Sequence, residues 1–303
     1  MKEGTRRSGG MWLLSCFISV GAALCGRIDW LSALAAGVIG ALLCRLCPRP
    51  GTLPGALRVL QGLWLALPLC VLAQAARDLF PDVSGSLYIP AVVLGLAWLL
   101  ACRQRGGLTA CCAVVGFFVL GAVGLVSLFS LPGITLGRLR PAPSVRGFLC
   151  ALAIGSGGML LDTTAGKPSG GWIWSAYMSP AALSALVGGC LSYPLAARQA
   201  SAFYTLSRGV SLFGVAERFE ALIAACLTLG LCSACALLLR AARESLHSDR
   251  AALLIPAALG LCCVPIPGVY ISAGTALLWV LFPAIFAQKG FCKKMQKKSK
   301  KSS

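Results

Sequence analysis

The chain is 303 residues long, 58% hydrophobic and only 12% charged, with a mean hydropathy of +0.83, where an ordinary soluble domain carries about 25% charged residues. That balance excludes a water-soluble globular domain and makes hydrocarbon the expected solvent. The net charge of +18 does not point to nucleic acid, because seven of the basic residues are lysines of one tail (Lys289, Lys293, Lys294, Lys297, Lys298, Lys300 and Lys301) and no base-reading motif accompanies them.

The apolar residues fall into runs of about 15 to 25, separated by short polar clusters, which is the length a helix needs to cross roughly 30 Å of hydrocarbon. The runs are apolar on every face, whereas the strands of a membrane barrel would alternate polar and apolar residues. The expected fold is therefore all-α and polytopic, with ten spans at about 11–26, 30–44, 57–76, 87–102, 108–131, 146–161, 175–194, 216–240, 251–269 and 271–287. The first span follows Lys2, Arg6 and Arg7 and is short enough to suggest a signal peptide. No small-x-small cleavage site leads into a soluble domain, however, and Trp30 opens another apolar run almost at once, so the segment reads as a retained span. Asp162 to Trp174, with Gly166, Lys167, Pro168, Gly170 and Gly171, reads as a flexible connection carrying interfacial Trp172 and Trp174. Pro194 to Val215 is the longest expected loop.

Residues 1–287 are expected to form a single membrane domain, with repeat one at about 11–131 and repeat two at about 146–287, followed by a basic cytoplasmic tail at 288–303. With ten spans, the side that holds both termini carries 19 of the 27 Lys and Arg residues, so both termini are expected in the cytoplasm. The tail lysines are also placed to touch anionic headgroups of the membrane lipids. Arg138, Arg140 and Arg146 run against the rule locally.

Sixteen cysteines would suggest a disulfide scaffold in a small secreted protein, but nearly all lie inside apolar runs, where they serve as small hydrophobes. Cys44-x-x-Cys47 and Cys232-x-x-Cys235 each resemble half of a zinc site, yet His247 is the one histidine and the second pair sits in mid-helix, so neither metal nor cofactor is expected. No phosphate-cradling glycine loop ending in Gly-Lys-Ser/Thr and no His-Glu-x-x-His occurs, and the chain does not read as an enzyme.

Transporters with inverted repeats mark their binding sites with glycine-interrupted helices at matching positions in the two halves. Here the first span holds Gly21 and Ala22, and the sixth holds Gly155, Ser156, Gly157 and Gly158. These six are the candidate ligand-binding residues: an unwound backbone at such positions frees N–H and C=O groups to grip a small zwitterion or an ion. Glycine also serves wherever two membrane helices pack closely, and Gly21 fits either role. Charge is sparse. Glu217, Arg218 and Glu220 stand at the start of the eighth span, with Arg208 just before it, as candidate coupling or structural polar groups. A capped helix end with an arginine counter-ion is the simpler reading of that cluster.

The stretch from Phe203 to Leu222 resembles the region before the eighth span of spore-germination permeases, the B subunits of nutrient germinant receptors. It carries Thr205-Leu206, Arg208, Val210-Ser211 and Glu217-Arg218-x-Glu220 in the family's order. Weaker echoes run collinearly through the chain: Val20-Gly21-Ala22, Trp30-Leu31-Ser32, Arg77, Leu131-Pro132-Gly133, and Leu139 to Pro141. The resemblance implies the ten-span fold of the amino acid, polyamine and organocation transporter superfamily, with an inverted five-plus-five repeat and a pocket between the first and sixth helices. It also implies residence in the inner membrane of a bacterial spore, a germinant such as an amino acid, and signalling with A-type and C-type partner subunits. Two other functions stay open on the residues: a secondary amino-acid permease driven by protons or sodium, and a sporulation membrane protein that binds no ligand.

Overall fold

Apolar runs rich in leucine, alanine and valine satisfy their own backbone only as helices, and helices are what the chain forms. The computed structural model describes residues 2–46, 65–80, 87–103, 105–141, 143–153, 170–199, 201–209, 219–246, 254–268 and 270–275. The helices are α1 (Lys2–Leu24), α2 (Trp30–Leu46), α3 (Ala66–Asp78), α4 (Tyr88–Ala101), α5 (Arg105–Ser130), α6 (145–153), α7 (Gly170–Leu191), α8 (Ala202–Arg208), α9 (Phe219–Leu246), α10 (Leu254–Cys262) and α11 (270–275). No strand occurs among the described residues; Cys25 and Ile28 form one isolated bridge.

Two stretches of 24 residues, Ala110–Gly133 and Glu220–Arg243, are long and apolar enough to cross a bilayer. They sit differently in the bundle, since 28% of the first and 78% of the second is buried. The first presents Val114, Phe117, Phe118 and Leu128 outward, and α2 does the same with Leu31, Leu34, Val38 and Leu42, spaced three or four apart along one stripe. Inside lie Ser15, Ser19, Asp29, Gln74, Asp78, Ser184 and Ser233. Large apolar side chains outside and polar ones within is the pattern of a helix bundle solvated by hydrocarbon, because water would not tolerate so much continuous apolar surface.

Several helix ends differ from the expected spans, each for a local reason. The first helix stops at Leu24, two residues early, because Gly26 turns the chain with a φ of 96°. The ninth span was expected to reach residue 269, but α10 ends at Cys262. Pro265 and Pro267 follow, and each removes a helical N–H donor and disfavours the α conformation of the residue before it. The expected loop from Pro194 to Val215 contains a single helical turn, Tyr193–Ala196, and then α8. Trp172 and Trp174 belong to α7 rather than to a connection.

Small residues set the closest helix contacts. Ser15 and Ser19 of α1 turn their hydroxyls back onto the Trp12 and Ser15 carbonyls, both at 2.8 Å, which satisfies them within their own helix. Gly116 of α5 then lies against Ser15, and Gly230 of α9 against Ser19, with no room for a Cβ at either glycine. Phe17 stacks on Tyr177 of α7 with ring centroids 4.6 Å apart. The most extensive packing pair is α1 on α7, followed by α2 on α7, α4 on α9 and α1 on α5; α5 and α1 also pack on α9, and α3 on α10. Cys150 of α6 and Ser272 of α11 meet with Sγ and Oγ 3.3 Å apart.

Gln74, buried on α3, fastens the segment after α10: its Nε2 donates to the Val264 and Ile266 carbonyls, each at 2.9 Å. Gln74→Leu keeps the volume and strands both acceptors, so a thermal melt in detergent should show a loss of about 1–3 kcal/mol.

Candidate functional site

At one end of the bundle, where α1 and α3 finish and α6 begins, a cavity of about 660 Å³ is lined by residues of these helices, of the 193–199 segment after α7, of the 264–268 segment after α10, and by Ser272 of α11. Its construction starts with the turn after α1. The Cys25 N–H donates to the Gly21 carbonyl at 2.7 Å and the Arg27 N–H to Leu24 at 3.2 Å. A Cβ on Gly26 would stand 2.7 Å from the Ala196 carbonyl oxygen and 2.6 Å from the Ala202 Cβ. The turn is therefore wedged against the segment that follows α7, and it delivers Arg27 to the cavity wall.

Arg27 donates from Nη2 to Asp78 Oδ2 at 2.6 Å, tying this turn to the end of α3. Arg77 Nε lies 3.5 Å from the other carboxylate oxygen, an electrostatic contact without hydrogen-bond alignment. Asp29 opens α2: its Oδ2 accepts the Ser32 N–H at 3.3 Å, as an N-cap does. Its Oδ1 is buried without a hydrogen-bond partner among the described residues.

The opposite wall begins with Ser144, whose Oγ accepts the Gly147 N–H at 2.9 Å and so caps α6. The positive end of that helix points toward the cavity. Tyr193 faces Ser144 across this wall. Burial pushes the Tyr193 hydroxyl above the ordinary phenol range and Asp29 adds to the shift, while Ser144 and Arg146 pull it back. Arg146, Arg198 and Gln199 complete this side. The cavity thus collects four arginines, Arg27, Arg77, Arg146 and Arg198, from four separate segments. Among the described residues, no carboxylate forms an ion pair with Arg146 or Arg198.

The residues expected to bind ligand fall partly beside this cavity. Gly21 and Ala22 sit in the last turn of α1, three and two residues before cavity-lining Leu24. The helix is continuous through both residues. Gly21 permits close packing, since a Cβ would stand 3.0 Å from Pro180 Cα of α7. Gly155, Ser156, Gly157 and Gly158 lie outside the described residues, beyond the end of α6 as described, the helix that carries cavity-lining Cys150. Arg208 and Glu220 are brought together: Arg208 Nε donates to Glu220 Oε2 at 2.8 Å and joins α8 to α9. That bond raises the guanidinium pKa further, and Tyr204 stacks beneath it at 5.1 Å. Glu217 and Arg218 lie outside the described residues.

Sequence reasoning did not single out Arg27, Gln74, Arg146 or Arg198 as site residues. A signal existed in Arg146, which belongs to the arginine run that opposes the charge rule. Among the described residues, no three His, Cys, Asp or Glu side chains are placed to hold a metal ion. Cys232 and Cys235 are buried in the α9 packing. No family model matches the chain, and no curated protein matches its sequence.

Proposed function

We propose that the chain is the membrane-embedded, transporter-like subunit of a spore nutrient receptor, which binds a germinant and signals with A-type and C-type partner subunits. The helix pairing carries this reading. In a five-plus-five inverted repeat, each span corresponds to the span five later. The spans in order are α1 to α7, then α9, α10 and α11. The α1–α5 contact then maps onto α6–α11, where Cys150 meets Ser272, and the α3–α10 contact maps onto α9–α4. The α2–α7 contact maps onto itself. These correspondences are the ones a five-plus-five repeat would produce, and they support the reading.

The cavity adds support, because it lies between the end of α1 and the start of α6, beside the two helices expected to form the pocket. So does the segment that resembles the germination permeases, whose Arg208 and Glu220 pair across the α8–α9 junction. On this reading both termini are cytoplasmic, the cavity opens on the opposite side of the spore inner membrane, and ligand occupancy biases a rocking equilibrium of the bundle.

Deletion of the gene in a spore-forming bacterium that carries it should abolish germination by one nutrient and leave the other nutrient responses intact. Slowed amino-acid uptake with every germination response preserved would identify a permease acting alone and end the receptor reading.

A further inference from the structure

We propose that the arginine-lined cavity binds a compact, water-soluble oxyanion carrying two or more negative charges, a dicarboxylate or a phosphate. This goes beyond the receptor reading and needs neither germination nor partner subunits.

The charges set the ligand class. Four guanidiniums face the cavity, and among the described residues the carboxylates that act on its lining groups are Asp78, paired with Arg27, and Asp29, near Tyr193. Asp78 is already held by Arg27 and Arg77, so Arg146 and Arg198 bring two further charges without an acidic partner among the described residues. Asp29 offsets part of that excess through its nearness to Tyr193, and the capped start of α6 adds positive potential on the same wall. A zwitterion, which carries no net charge, would leave this excess unanswered. A divalent oxyanion matches it, and planar guanidiniums suit carboxylate or phosphate oxygens.

The geometry sets the size. About 660 Å³ lies within the ordinary range of small-ligand sites. Polarity is graded with depth, since Arg146 and Arg198 are exposed at the mouth, Arg27 and Arg77 are half-buried, and Gln74 is buried at the α3 wall. Such a gradient draws an anion inward and raises its local concentration. Guanidiniums reach the space from the α1–α2 turn, α3, α6 and the 193–199 segment, while Val264, Pro265, Ile266 and Pro267 give it one apolar flank.

The test uses the full chain in neutral detergent, with thermal unfolding followed in sodium succinate, inorganic phosphate, glycine, sodium chloride of matched ionic strength, or vesicles of phosphatidylglycerol. Succinate or phosphate, or both, should raise the melting midpoint beyond the chloride control, and whichever does so identifies the oxyanion. R146Q and R198Q should each weaken the apparent affinity about tenfold. Both side chains are exposed, so their unliganded midpoints should stay near that of the unmodified chain. R103Q, outside the cavity, should leave the affinity unchanged. No shift beyond chloride, a shift retained in both R146Q and R198Q, a shift with glycine equal to that with succinate, or stabilisation by phosphatidylglycerol alone would each overturn the proposal.

Discussion

Gly26→Ala should unfold a large fraction of the protein in detergent at temperatures where the unmodified chain is stable, while Gly95→Ala should melt at or above the wild-type midpoint. The two glycines differ in backbone and in surroundings. Gly26 holds a φ of 96° in the turn between α1 and α2, a conformation that costs an L-residue roughly 1–2 kcal/mol. The added methyl would also meet the Ala196 carbonyl oxygen at 2.7 Å and the Ala202 Cβ at 2.6 Å, and both alanines are buried. Neither neighbour is the end of a flexible side chain, so backbone must move. Together the strain and the clash should cost on the order of 3 kcal/mol. Gly95 has nothing within 4 Å of its absent Cβ and lies inside α4, where alanine is favoured by roughly 0.5–1 kcal/mol. Thermal melting of both variants against wild type would decide. Equal midpoints would mean that the α1–α2 turn does not carry this end of the bundle.

The contrast between those glycines also shows what the sequence could and could not disclose. Apolar run length was enough to anticipate the helices among the described residues, since hydrocarbon allows a backbone no other local solution than to close its own hydrogen bonds. Runs do not say which glycine faces lipid and which faces a neighbour. Gly21, Gly116 and Gly230 lie close against neighbouring helices, while Gly95, Gly121 and Gly124 face open space, and the same residue type serves both. Helix ends were displaced both where prolines follow, as at Pro265 and Pro267 after Cys262, and where a tertiary contact decides. The turn at Gly26 is fixed by Ala196 and Ala202, far along the chain. The cavity was the least legible feature. Arg27, Arg77, Arg146 and Arg198 are scattered over four segments and converge only once α1, α3, α6 and the end of α7 are bundled. Their one trace was the arginine run on the wrong side of the charge rule. Arg146 lines the cavity, and Arg138 bonds the Cys190 carbonyl at 2.7 Å, so both have structural employment there.

Asp78→Ala is the second large effect expected, and its value lies in the opposite directions it should move two measurements. The Asp78 carboxylate is 8% exposed, with Arg27 at 2.6 Å and Arg77 at 3.5 Å. Removing it leaves two guanidiniums near each other on a wall that already carries Arg146 and Arg198. Breaking a fully buried pair costs about 3–5 kcal/mol, and the partial exposure of both arginines lowers the expectation here to about 2–3 kcal/mol. Arg27→Ala should cost less, because Arg77 remains to neutralise Asp78. The double variant R27A/D78A should recover part of the Asp78→Ala loss, since it deletes the unpaired charge together with its partner. Anion affinity should move the other way, because Asp78→Ala frees two guanidiniums, so succinate or phosphate should stabilise that variant more than wild type. A melt series in each anion measures both effects at once. If Asp78→Ala weakened the response to oxyanions, the carboxylate would be shaping the cavity rather than merely balancing its charge.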